Sequence, residues 1–221
     1  MGEIVEMRKY DLVIFDLDGT ILNTLEDLAD SLNTVLCKYQ YPQKTISEVR
    51  GFVGNGIRLL IKRAMPEGTS ETELDLLYQD FIQYYQQHCM DKTGPYEGIP
   101  ELLQDIRSRG YHTAVVSNKA DSAVKVLCDR FFKGLFDIAV GERNGISRKP
   151  EPDSVNEILS SLQISRERAV YIGDSDVDIA TAQNAGMDGI IVTWGFKDPD
   201  FLQKMGAKCL VSDPREILDL I

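Results

Sequence analysis

Hydrophobic positions along the chain follow two regimes. From Leu25 onward they recur at three and four residues. Leu25, Leu28, Ala29, Leu32, Val35, Leu36 and Tyr39 predict a long amphipathic helix that ends before Pro42. In RGFVGNGIRLLIKRAM (50–65), Gly51, Gly54 and Gly56 predict a flexible loop, after which Ile57, Leu60, Ile61 and Ala64 resume helical spacing. Leu74, Leu77, Tyr78, Phe81, Ile82 and Tyr85 predict another helix over about 71–89. No strand pattern interrupts the stretch from Leu25 to Met90, so it reads as an all-helical insert.

Elsewhere, short apolar runs alternate with helical ones. Leu12–Phe15, YHTAVV (111–116), FDIAVG (136–141), AVYIG (169–173), GIIVT (189–193) and AKCLV (207–211) predict strands. Helical spacing lies between them: after Pro100 up to Gly110, over 123–132, at Val155, Ile158, Leu159 and Leu162, and over 177–185 before Gly186. A final helix is expected from Pro214. This order predicts an α/β fold, a doubly wound, mostly parallel, Rossmann-like sheet. Ile21-Leu22-Asn23 and Lys92–Gly98 flank the helical stretch as paired linkers. The expected organisation is a core domain of residues 1–22 and 92–221 and a small helical cap domain of residues 23–91.

Composition narrows the partners. A formal net charge of -11 lacks the basic face a nucleic-acid partner requires, and any anionic substrate must be captured locally against an unfavourable global field. Cys37, Cys89, Cys128 and Cys209 are widely spaced, without CxxC or Cys/His grouping. That opposes a zinc site or disulfide framework and favours a reducing cytoplasm. The first nine residues carry Glu3, Glu6, Arg8 and Lys9, so neither a signal peptide nor a membrane span is expected. A monomer or homodimer acting on a small molecule is the expected form.

Chemistry is concentrated where strands end. The run YDLVIFDLDGT (10–20) places Asp16 and Asp18 at the carboxyl end of a buried strand, the edge at which open α/β sheets bind ligands. Gly19 supplies a turn and close backbone approach. Two acids so close need a cation, a proton or a hydrogen-bond network to coexist, and a hard cation such as Mg²⁺, which takes oxygen ligands and keeps several waters, answers that need. Ser117 and Asn118 come after another strand and are expected at a helix start, where N–H groups favour anions. Lys119 is expected to turn towards solvent. Lys149, in a loop fixed by Pro150 and Pro152, is a point charge suited to phosphate or to a nucleophilic carboxylate. In GDSDVD (173–178), Asp174 and Asp178 are expected on one face of a first helical turn, with Asp176 facing away and Asp174 adding metal-binding charge opposite Asp16. Trp194 is expected to serve packing. No GxSxG or P-loop is present, and neither His88 nor His112 accompanies these clusters.

DLDGT, SNK after a strand, RKPEP and GDSDVD, in this order and spacing, resemble the haloacid dehalogenase-like phosphohydrolases over nearly the whole chain. The resemblance implies that Asp16 attacks phosphorus and Asp18 is general acid and base. It implies that Ser117 and Asn118 hold the phosphoryl group and that Lys149 neutralises it. Mg²⁺ would be held by Asp16, the Asp18 carbonyl and Asp174, with Thr20 in support and Asp178 orienting the metal's water shell. Within the family, RGFVGNGIRLLIKRAM and PYEGIPELLQDIRSRGYHTAVVSNK look most like the phosphoglycolate phosphatases. Asn23 departs from the Asp usual at the start of the cap linker. Dehalogenases lack the second Asp of DxD, and Lys62 is poorly placed for the Schiff base of phosphonate-cleaving members.

The implied activity is Mg²⁺-dependent hydrolysis of small phosphate monoesters, 2-phosphoglycolate first, through an aspartyl-phosphate. Alternatives are a sugar phosphomutase, a pyrophosphate or nucleotide phosphatase, or a non-catalytic protein of the same fold. Intact Asp16, Asp18, Lys149 and Asp174 oppose the last. Arg58, just past Gly56 in the glycine-rich cap loop, is the expected partner of a substrate carboxylate.

Overall fold

The computed structural model describes residues 8–221, so the expectation about a leader falls largely outside the described residues. The apolar run Leu12–Phe15 forms β1, buried on both faces as a central parallel strand requires. The chain then makes the two-residue strand β2 (Leu22–Asn23) and enters four helices: α1 (Leu25–Lys38), α2 (Ile46–Phe52), α3 (Ile57–Ala64) and α4 (Glu71–His88). It returns through β3 (Gly94–Pro95), which pairs antiparallel with β2. Asp27, buried in α1, accepts the backbone N–H groups of Lys92 and Thr93, both at 2.9 Å, and so ties the returning linker to the first insert helix. Among the described residues, no helix is long and apolar enough to cross a membrane.

The rest alternates: α5 (Ile99–Ser108), β4 (His112–Ala120), α6 (Asp121–Phe131), β5 (Ile138–Glu142), α7 (Asp153–Leu162), β6 (Ala169–Gly173), α8 (Asp176–Ala185), β7 (Asp188–Val192), α9 (Pro199–Lys204) and β8 (Leu210–Val211). A 3₁₀ turn over Pro214–Asp219 takes the place of the expected last helix. The six-stranded sheet has the order β5-β4-β1-β6-β7-β8, and every pairing is parallel. Alternation along β1 divides the core. Val13 and Phe15 join the apolar layer with α5 and α6, while Leu12 and Ile14 join the layer with α7 and α8. The insert has its own apolar cluster, centred on Leu32, Leu36, Leu77 and Phe81, and Phe196 reaches into it from the core.

Two boundaries depart from expectation and bear on the site. Gly51 lies inside α2, not in a flexible loop. Thr45 and Glu48 form a reciprocal capping box that starts this helix, and the loop is confined to Val53–Gly56. Strand β4 does not end before Ser117. After a register shift it continues to Ala120, which pairs with Glu142. Ser117, Asn118 and Lys119 are therefore strand residues, and α6 starts only at Asp121.

The capping box predicts that Thr45→Ala costs about 1 kcal/mol. In a chain of this size that is a fall in Tm of about 2–4 °C, readable by thermal denaturation.

Candidate active site

β4, β1 and β6 are adjacent, so the residues just past each strand meet at one edge of the sheet. Asp16 continues β1 by donating its N–H to Ile172 O at 2.8 Å. The backbone then turns at Gly19, which has φ +90°. A side chain there would meet Asp174: a Cβ would lie 2.4 Å from its Oδ2. Gly195 approaches from the other side, where a Cβ would lie 2.3 Å from the Asp174 Cβ. Asp174 is thus held in a cradle of backbone. Its Oδ2 accepts from Phe196 N at 2.7 Å and its Oδ1 from Thr20 Oγ1 at 3.3 Å.

Lys149 organises the cluster. Its buried Nζ donates to Asp16 Oδ1 at 2.6 Å, Asp178 Oδ1 at 2.8 Å and Tyr171 Oη at 3.1 Å. Burial opposes its charge, but the carboxylates of Asp16 and Asp178 outweigh it and hold the ammonium well above its ordinary pKa. Asp178 is also the acceptor of the α8 capping box. Its Oδ2 takes Ser175 Oγ at 2.6 Å, Ser175 N at 3.1 Å and Asp174 N at 3.2 Å. With both oxygens engaged by protein donors, Asp178 secures Lys149 and the turn. Asp174 precedes the helix, whose N-cap is Ser175, so the two acids do not share a first helical turn.

Lys119 is the main correction. It is buried, and its Nζ donates to Asp18 Oδ1 at 2.8 Å while lying 4.8 Å from the ring centroid of Tyr85 in α4. Because β4 runs on to Ala120, alternation turns this side chain into the site where a helix start would have turned it out. Burial works against its charge, and the neighbouring Asp18 carboxylate outweighs burial and raises its pKa.

The remaining predicted residues divide. Ser117 and Asn118 line the same cavity as Asp16 and Asp18. Ser117 Oγ accepts from Lys119 N at 3.2 Å, and Asn118 Nδ2 donates to Lys149 O at 3.1 Å and to Gly54 O of the insert at 3.4 Å. Asn118 therefore joins strand, lysine loop and insert. Arg58 does not come to the site. It points along the outside of the insert, paired with Glu71 at 2.7 Å and with Asp75, and takes no part in the cavity wall. Those two acids on α4 outcompete any role for it in the cavity. Trp194 packs against the core and donates to Thr20 O at 3.0 Å, as a packing residue should.

Opposite the polar edge, the insert presents Leu28, Val53, Gly54, Gly56, Ile57 and Leu60, and the core adds Phe196 and Lys197. The space between is about 50 Å³. Lys197 was not legible as a site residue, since nothing in GFKDPD marks it.

The acids can hold a divalent cation. Asp16, Asp174 and Asp178 bring one oxygen each within 4.8 Å of one another. Asp16, Asp18 and Asp178 pair with the ammonium groups of Lys119 and Lys149, and the charge of Lys197 also acts on Asp174, so four acids stand against three lysines at this edge. Burial, then Asp178, pushes the Asp174 carboxyl up to about 7, and burial with the charges of Asp178 and Asp174 raises Asp16 against the pull of Lys149. A hard cation fits this donor set.

A parallel α/β sheet that gathers carboxylates and a buried lysine at its carboxyl edge, under an apolar lid, defines an enzyme of the carboxylate-based hydrolase class. The profile of the haloacid dehalogenase-like hydrolases matches residues 13–192, and the chain belongs to that family. It is 31% identical over 211 residues to the N-acetylmuramic acid 6-phosphate phosphatase of Pseudomonas aeruginosa, covering 95% of this chain and 93% of that one. It is 34% identical over 196 residues to the phosphoglycolate phosphatase of Psychrobacter arcticus, covering 84% of each. Among solved structures, a candidate phosphoglycolate phosphatase from Lactobacillus delbrueckii superposes with a TM-score of 0.93 at 38% identity, over 97% of this chain and 99% of that one.

The Asp174 shift carries a pH prediction. A carboxyl held at about 7 in the fold, against 3.8 ordinarily, keeps a proton that the unfolded chain has released, so metal-free stability falls as pH rises from about 4 to 7. A cation at the site reverses that loss. Mg²⁺ should therefore raise Tm more at pH 8 than at pH 5, the stabilisation at pH 8 reaching about 2.7 kcal/mol at ~100 times its Kd. Asp174→Asn should reduce the shift strongly.

Proposed function

We propose that this protein is a Mg²⁺-dependent phosphatase for small phosphate monoesters, with 2-phosphoglycolate the foremost substrate. The observation that carries the reading is the state of Asp16. One oxygen is fixed by Lys149 at 2.6 Å, while Oδ2 accepts no hydrogen bond from the described residues and Asp16 lines the cavity. A carboxylate oriented in this way is a nucleophile waiting for phosphorus. Bound Mg²⁺, held by Asp16, the Asp18 carbonyl and Asp174, supplies charge stabilisation for the transferring phosphoryl group.

In the first displacement Asp16 Oδ2 bonds to phosphorus, the ester P–O bond breaks, and Asp18 gives its proton to the departing alkoxide. In the second, Asp18 takes a proton from water, the resulting oxygen bonds to phosphorus, and Asp16 leaves with inorganic phosphate released. Ser117 and the Asn118 backbone face the phosphoryl oxygens, and Lys149 balances the charge on Asp16 throughout. General acid catalysis of this kind contributes ~10²–10⁴-fold. Lys119 is a positioning residue: through Asp18 Oδ1 it fixes where the acid's other oxygen stands.

The cavity also favours hydrolysis over transfer to a sugar. The insert offers the leaving group an apolar wall and no acid or base to activate an acceptor hydroxyl.

A screen of small phosphate esters with purified protein and Mg²⁺ tests this reading, and inactivity against all of them would refute it. Asp16→Asn should keep the fold and remove turnover. Asp18→Asn should slow turnover by roughly 10²-fold or more on poor leaving groups and far less on p-nitrophenyl phosphate. Lys119→Met should lower kcat with little change in KM, again least for p-nitrophenyl phosphate, whose departure needs little protonation.

A further inference from the structure

Cations in and around the cavity are almost all committed. Lys149 is bound to Asp16 and Asp178, and Lys119 to Asp18. Arg50 donates to Gly195 O at 3.3 Å and pairs with Asp198 at 3.2 Å, and Arg58 faces outward with its two acids. Lys197 is different. It lines the cavity, is partly buried, and has no carboxylate within ion-pair distance among the described residues. Its Nζ makes one hydrogen bond, a long one of 3.3 Å, to Val53 O in the insert loop.

Its place is well defined. The preceding residue, Phe196, donates its N–H to Asp174 and seats its ring in the apolar cluster of the insert. Lys197 is thereby held at the seam between core and insert, close to Asp174 and touching the insert loop. On the phosphatase reading the departing group lies towards the insert, whose Val53 carbonyl oxygen accepts from Lys197 Nζ. The walls there are Leu28, Val53, Ile57 and Phe196, so water competes poorly and an ion pair is strengthened. An ammonium has three donors, and the contact with Val53 uses one. Burial lowers the pKa of Lys197, a penalty that an arriving anion removes.

We propose that Lys197 is the specificity residue of this site, binding through Nζ an anionic group on the leaving portion of the substrate, and hence that the enzyme selects short phosphate esters bearing a carboxylate. The assignment rests on the phosphatase reading above and takes over the role that the sequence suggested for Arg58. In a protein of net charge -11, one such cation is enough to discriminate, since a carboxylate elsewhere on the surface is repelled. The Val53 contact also lets Lys197 report closure, because the same Nζ touches both the insert and the ligand.

The test compares 2-phosphoglycolate with ethyl phosphate, which has the same two-carbon length and no carboxylate, using the full chain with saturating Mg²⁺. Lys197→Met preserves length and removes charge. It should raise KM for 2-phosphoglycolate by roughly 10-fold or more, leave kcat/KM for ethyl phosphate within about 2-fold, and lose selectivity between the two. Lys197→Arg, which restores the charge, should recover most of the selectivity. Equal losses on both esters would show that Lys197 only fastens the insert and would overturn the proposal, as would unchanged selectivity in a folded Lys197→Met protein. If the wild-type protein hydrolyses neither ester, nor any other, the phosphatase reading falls and this inference falls with it.

Discussion

The site depends on the ion pairs of Lys149. One buried ammonium holds Asp16 at the end of β1 and Asp178 at the start of α8, and so couples the candidate nucleophile to the turn that carries Asp174. Without it, carboxylates packed into the edge of a parallel sheet would stand unpaired in a medium of low polarity. Removing one member of a buried pair costs on the order of 3–5 kcal/mol, since the charge left behind has no partner. The glycines at positions 19 and 195 belong to the same constraint. They let two backbone segments close around Asp174, and any side chain there would push the acids apart.

Lys149 and Lys119 do not neutralise the edge, and on the proposed reading the residual negative charge serves the chemistry. On that reading it would attract a divalent cation, and the cation would make the edge hospitable to a phosphate dianion that the protein as a whole repels. Structure and reaction are joined here by charge balance. The acids that are costly to bury would become favourable if a cation and a phosphoryl group bound together. Asp18 stands apart, held by Lys119 beneath the Tyr85 ring of the insert, so the candidate proton-transfer group has one foot on each side of the cavity.

The insert contributes exclusion of water more than chemistry. Its contacts with the core are few and polar at the margins: Asn118 to Gly54, Lys197 to Val53, Arg50 to Gly195. Phe196 provides the apolar anchor. Leu28, Val53, Ile57 and Leu60 of the insert, with Phe196, turn apolar surface towards the cavity. The apolar wall makes every charge inside it act more strongly while the site is shut.

Much of this was written locally in the chain. The apolar run before Asp16, the strand ending at Gly173 and the spacing of the helical insert depend on neighbours within a few residues, so β1, β6, α1, α3 and α4 and the acids at strand ends were legible from the sequence. The T-x-x-E of Thr45 and Glu48 was also present and would have found α2, had Gly51 not been read as a loop. Other features depended on contacts between distant segments. Whether β4 stops at Val116 or runs to Ala120 is decided by its pairing with Glu142, and that pairing turns Lys119 inward. Arg58 was drawn off the cavity by Glu71 and Asp75 on another helix, and Lys197 was brought to it by the packing of Phe196 against the insert. The sequence by itself determined that Asp16, Asp18 and Asp174 stand at the sheet edge, because they follow directly on β1 and β6. Only the tertiary structure decided which lysine or arginine faces which carboxylate, because a long flexible side chain takes its direction from the charges it finds after folding.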